Sequence, residues 1–221
     1  MTARVGIVVF PGTNCEADVA WAIEQVGGSP ELLWHAETGL GGIDALVVPG
    51  GFAHGDYLRT GAIARFSPIM DAVEEFAADG GPVVGICNGF QILTEAGLLP
   101  GALQKNAGLK FRCETVEIRV ETSKTVLTSQ SVPGDILRIP INHFEGNYTC
   151  DEDTLRSIRH GDQVVFRYVS NPNGSVDDIA GICNAQRNVV GLMPHPERAS
   201  ESVLGSADGA VLLRSLLAAV A

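Results

Sequence analysis

Short runs rich in Val, Ile and Leu recur through the first half of the chain, alternating with stretches whose apolar residues return every three or four positions. The runs at 4–10, 32–34, 45–48 and 83–86 have strand composition, and helices are predicted at about 15–26 and 62–78. This is the rhythm of βαβ units, which build a parallel sheet covered by helices on both faces. From 109 to about 192 the pattern turns strand-rich, with runs at 110–120, 136–139, 163–169 and 179–183 between Asn, Asp, Pro and Gly turns. It predicts a mostly antiparallel extension of the same domain, closed by an apolar helix at about 208–220. At 221 residues, with no stretch that reads as a linker, the chain is expected to form one α/β domain over 1–221.

In sheets of this kind ligands gather at the carboxyl ends of the strands, and three motifs fall there, at 11–14, 50–52 and 87. The third is the most informative: Gly85-Ile86-Cys87-Asn88-Gly89-Phe90-Gln91 places one cysteine between two glycines at the end of an apolar run. That spacing reads as a nucleophile elbow, in which the strand ends, the cysteine stands clear on a sharp turn and a helix starts at once. A helix N-terminus favours the thiolate, the reactive form. A lone intracellular cysteine is more commonly a buried structural residue; the glycine frame and the strand-to-helix position favour catalysis.

A base and an orienting acid are available in Met193-Pro194-His195-Pro196-Glu197. The prolines bias residues 193 and 195 toward extended backbone, where positions i and i+2 project to the same side, so Glu197 is expected to reach the His195 ring. Alone, this segment reads as a stiff surface turn; with Cys87 it completes Cys-His-Glu triad logic. The Pro49-Gly50-Gly51-Phe52 turn is either an ordinary strand closure or half of an oxyanion hole. In the second case an N–H near Gly51 would act with that of Asn88, just after the nucleophile.

The formal net charge of −11 and the absence of any Lys/Arg cluster argue against nucleic acid as a partner. Cysteines 15, 87, 113, 150 and 183 are odd in number, widely spaced and form no CxxC pair, which suits neither a disulfide framework nor a zinc site. No metal site is expected, and a reducing cytoplasm fits. The apolar run at 5–10 is too short for a secretory signal and no run is long enough to span a bilayer, so no membrane association is expected.

The elbow, the upstream Pro-Gly-Gly turn and the late His-Pro-Glu, in this order, resemble the class I glutamine amidotransferases, whose fold is a flavodoxin-like α/β sheet. Residues 10–16, 54–61, 142–146 and 171–175 narrow the resemblance to the glutaminase subunits of phosphoribosylformylglycinamidine synthases, a group serving purine biosynthesis. The resemblance implies that Cys87 is the nucleophile, His195 the general acid and base, and Glu197 its orienting partner. It also implies that Gln91, Asn142, His143 and Phe144 help hold glutamine, although a lone strand histidine is more often packed or solvated.

His54, Asp56 and Arg59 read equally as a solvated loop or as an active-site rim or partner contact. The sequence has no GxxxxGK[ST] phosphate loop, so no cofactor is expected in this chain. ATP and magnesium are expected in a large synthetase subunit that takes the ammonia, with a small accessory subunit in the same complex. The rival readings are an amidotransferase of another pathway, a stand-alone γ-glutamyl hydrolase, and a non-catalytic module that kept the elbow shape.

Overall fold

A computed structural model describes residues 2–221. Its strands are β1 (Arg4–Val9), β2 (Ser29–Trp34), β3 (Ala45–Val48), β4 (Val83–Ile86), β5 (Ala102–Gln104), β6 (Arg112–Val120), β7 (Ile136–His143), β8 (Asn147–Thr149), β9 (Val164–Tyr168), β10 (Ile179–Cys183) and β11 (Val189–Leu192). The helices are α1 (Glu16–Gln25), α2 (Ile69–Ala78), α3 (Asn88–Glu95), α4 (Glu152–His160) and α5 (Gly209–Ala218). Nine strands form one sheet in the order β2-β1-β3-β4-β11-β10-β9-β6-β7, and β5 pairs with β8 in a separate two-stranded sheet.

The first five strands of that order are parallel to one another, and β10, β9, β6 and β7 each run antiparallel to their neighbours. This is the α/β class expected from the sequence. Strands β3, β4 and β11 are buried along their whole length, as uninterrupted apolar runs in a covered parallel sheet must be. By contrast β7 alternates, burying Leu137, Ile139, Ile141 and His143 while its other positions are less covered. Helices α1 and α5 pack together, and α3 lies against β3, β4 and β11.

Two local readings change. The helix expected from 62 begins only at Ile69, because Pro68 holds Ser67 extended (ψ 141°) and residues 64–66 make a short 3-10 turn instead. Helix α4, a short charged segment for which no helix was expected, buries only Ile158 and starts on a side-chain cap in which Asp151 accepts from the Thr154 N–H at 2.7 Å. Among the described residues no helix is long and apolar enough to cross a membrane.

Candidate active site

Cys87 occupies the junction of β4 and α3 with φ 51° and ψ −105°, a backbone conformation that a residue with a side chain rarely adopts. The surrounding chain fixes it there. The Cys87 N–H donates to the Leu192 carbonyl at 2.8 Å, tying the elbow to the end of β11. A β-carbon at Gly85 would fall 2.8 Å from the Gly89 backbone, and one at Gly89 only 1.8 Å from the Val48 carbonyl oxygen. The two framing glycines therefore let β4, α3 and β3 close on one another without any intervening side chain.

The chain leaving β11 brings His195 beside this elbow. Its N–H donates to the Pro140 carbonyl at 2.8 Å, and its ring Nδ1 meets Glu197 Oε1 at 2.6 Å with both side chains essentially excluded from solvent. The reach from 195 to 197 is made differently from the extended run expected: Pro196 opens a 3-10 turn, Pro196–Ala199, which swings Glu197 back under the imidazole. Burial opposes a charge on His195, but the Glu197 carboxylate and then the Cys87 sulfur outweigh it, and the ring is held well above the usual histidine range. Its Nε2 is buried and has no hydrogen-bond partner among the described residues.

Gly50 passes close to both groups. A β-carbon at Gly50 would lie 2.8 Å from His195 Cε1 and 3.5 Å from Cys87 Cβ. Residues 13 and 51 form an antiparallel bridge whose bonds run from Asn14 N to the Gly50 carbonyl and from Phe52 N to the Gly12 carbonyl. The Gly51 N–H takes no part in that pairing.

In front of Cys87 lies a cavity of about 210 Å³ lined by Gly51, Phe52 and Thr60 together with Gln91, Asn142, His143 and Phe144; Asp56 and Glu145 complete the wall. The Cys87 thiol itself points to the Asn142 carbonyl at 3.8 Å. The amide of Gln91 is bonded at both ends, accepting from Asn88 Nδ2 at 2.8 Å and donating to the Glu145 carbonyl. Asn88 further accepts from the Ala53 N–H at 3.0 Å and donates to Asp56 at 3.1 Å, binding the loop after β3 to the start of α3. His143 is 3% exposed; burial, then the neighbouring His195, lower its pKa to about 4, so the ring is neutral.

Of the loop residues singled out in the sequence, only Asp56 lines this cavity. Arg59 is drawn off to Glu95 in a two-pronged ion pair at 2.7 and 2.6 Å, and His54 faces Ser67 and His35.

Two residues to which the sequence gave no role stand behind the site. Cys15 is buried, with its sulfur and the ligand atoms of His195 and Glu197 all within 4.8 Å of one another. Arg198 Nη2 donates to that sulfur at 3.1 Å, and Glu197 Oε1 is on the imidazole Nδ1. Asn106 holds His143: its amide nitrogen donates to the Lys110 and His143 carbonyls, and its oxygen accepts from the Gly146 N–H and faces His143 Nδ1 at 3.1 Å. That oxygen can only accept, so Nδ1 carries the ring proton and Nε2 is left as a bare acceptor.

An elbow cysteine opening on a cavity, with a carboxylate-bound imidazole close behind Gly50 beside it, is an arrangement suited to acyl transfer. Residues 2–209 match the model of the CobB/CobQ-like glutamine amidotransferase domain. The chain belongs to this glutamine amidotransferase family. It is 54% identical to a phosphoribosylformylglycinamidine synthase subunit PurQ of Koribacter versatilis, over 99% of each chain. It is 56% identical to the subunit of the same name from Rubrobacter xylanophilus, over 97% of this chain and 98% of that one. Among solved structures it superimposes on a chain in the structure of PurLQS from Thermotoga maritima with a TM-score of 0.93, 41% identity and full coverage of both.

Proposed function

We propose that this chain is the glutaminase subunit of a phosphoribosylformylglycinamidine synthase, a single amidotransferase domain that supplies ammonia to a large synthetase subunit. The observation that carries the reading is the buried Glu197–His195 pair set beside the strained Cys87 elbow. Relatives that share more than half of its residues over nearly the whole length bear the PurQ name, which supplies the pathway.

We assign each chemical step to these groups as follows. The Cys87 thiolate attacks the side-chain carboxamide carbon of glutamine, and the oxygen that becomes negative is received by the N–H groups of Gly51 and Asn88. His195, charged by its partners, gives its proton to the leaving nitrogen, so ammonia departs and a glutamyl thioester remains. The now neutral imidazole takes a proton from water, the hydroxide adds to the thioester, and collapse releases glutamate and restores the thiolate with its imidazolium. Glu197 fixes which ring nitrogen meets the substrate. Gln91, Asn142, His143 and Phe144 shape the glutamine cavity.

Conversion of an amide to an amidine requires activation of the amide oxygen, and we assign ATP and magnesium to the synthetase partner. In the assembled complex Cys87→Ala should lose glutamine-dependent product formation entirely while added ammonium still supports synthesis. Glutamine hydrolysis by the alanine variant at the wild-type rate would sink the assignment.

A further inference from the structure

Cys15, His195 and Glu197 come together from opposite ends of the chain, and one ligating atom of each lies within 4.8 Å of the other two. All three are buried: Cys15 is 2% exposed, His195 1% and Glu197 2%. Two of them have coordination to spare, since His195 Nε2 and Glu197 Oε2 are buried with no hydrogen-bond partner among the described residues. Buried polar atoms without a partner are costly unless something meets them.

The sulfur and the imidazole also border one gap. A β-carbon at Gly50 would lie 3.1 Å from Cys15 Sγ and 2.8 Å from His195 Cε1, and glycine leaves that point to a hydrogen. Arg198 Nη2 donates to Cys15 Sγ, and a guanidinium on a sulfur favours the thiolate, the form that binds metal. The Arg198 charge is itself shared with Asp18, whose carboxylate accepts from Nε at 3.3 Å. A thiolate, an imidazole and a carboxylate make a donor set for a borderline-soft divalent ion such as zinc, whereas magnesium and calcium take oxygen ligands.

We infer that Cys15, His195 and Glu197 form a site for a zinc-like divalent ion that switches the glutaminase off reversibly. The ion replaces a proton on the imidazole, that proton goes to solvent, and His195 has none to give to the leaving nitrogen. The inhibition rests on the glutaminase reading above; the metal binding does not. The rival role for Cys15 is only to hold Arg198. Cys15→Ser separates the two, because a hydroxyl still accepts from the guanidinium but is a far poorer ligand for zinc.

The test titrates zinc chloride into the assembled complex and reads glutamate release. Zinc should lower kcat and leave the glutamine KM nearly unchanged, because the cavity in front of Cys87 stays open. A chelator should restore the rate, and ammonium-dependent synthesis should continue at the same zinc concentrations. The C15S complex should keep its zinc-free kcat within a few-fold and need about 10- to 100-fold more zinc for half-inhibition. In the full chain bearing Cys87→Ala, one equivalent of cobalt(II) should give a thiolate-to-metal charge-transfer band, and adding Cys15→Ser should remove it.

Inhibition competitive with glutamine would put the metal on Cys87 instead and overturn the inference. So would a wild type insensitive to zinc, a loss that the chelator does not reverse, or an equal loss of ammonium-dependent synthesis, none of which depends on how a variant folds. Equal zinc sensitivity of wild type and C15S, or a cobalt band that survives Cys15→Ser, would overturn it as well. If the zinc-free wild type releases no glutamate, it is the glutaminase reading that falls, and the cobalt titration still decides the metal site.

Discussion

At the scale of single residues, the site works because each group is denied an alternative. His195 is buried with one nitrogen against Glu197, so rotation of its ring would strand a polar atom without water. Glu197→Gln retains the shape but removes the charge that raises the His195 pKa and permits the wrong tautomer. Glutamine-dependent kcat should fall about 10²- to 10⁴-fold, as for loss of a positioned acid–base group, with KM little changed. Steady-state kinetics check it, and a loss confined to KM would show that Glu197 does not tune the imidazole.

The Cys-His-Glu combination was legible from three residue types and their spacing; Cys15 and Asn106 were not. Nothing local marks Cys15 as facing His195, since 180 residues of chain separate them and only the approach of α1 to the 196–199 turn brings them together. His143 lay closer to the surface of the pattern. It continues the buried set Leu137, Ile139 and Ile141 at period two, so the alternation itself pointed inward.

At the scale of elements, close approach of backbone to backbone is what places Cys87. Helix α3 can sit on β3 and β4 only because Gly85 and Gly89 carry no β-carbon. Gly89→Ala would drive a methyl group into the Val48 carbonyl, and the overpacking should cost about 1–3 kcal/mol. A fall in the denaturant midpoint, together with slower alkylation of Cys87, would register the shift; an unaltered midpoint would mean the interface yields freely.

Elements with strong apolar runs were readable in advance because burial on both faces leaves them few other residues to use. Helix α4 escaped because it is only nine residues long and mostly charged, with Leu155 and Ile158 alone marking its inner face. The premature start given to α2 was an error of punctuation: Ser67-Pro68 interrupts a stretch whose composition is otherwise helical.

At the scale of the whole molecule, β1, β3, β4, β7 and β11 deliver residues 11–14, 50–52, 87, 142–145 and 193–197 to one end of the sheet. The product of that site is ammonia, which bulk water at neutral pH would protonate, so the glutaminase reading implies a shielded route to the synthetase subunit. Glutamine labelled with ¹⁵N in the amide, supplied with unlabelled ammonium in excess, should give product carrying mostly ¹⁵N by mass spectrometry. Label diluted to the ratio of the bulk pool would refute channelling.

The sequence by itself determined the α/β class, the elbow and the pairing of His195 with Glu197, because these depend on local rules: glycine at crowded turns, proline at turn starts, apolar runs in covered strands. Only the tertiary structure decided which distant residues share the cavity. The Gly51 N–H left unpaired, the tautomer of His143 set by Asn106, the sulfur of Cys15 behind the triad and the paired carboxylates of Asp56 and Glu145 all arise between segments far apart in the chain. Their meaning comes from distance and exclusion of water, which no spacing along the chain records.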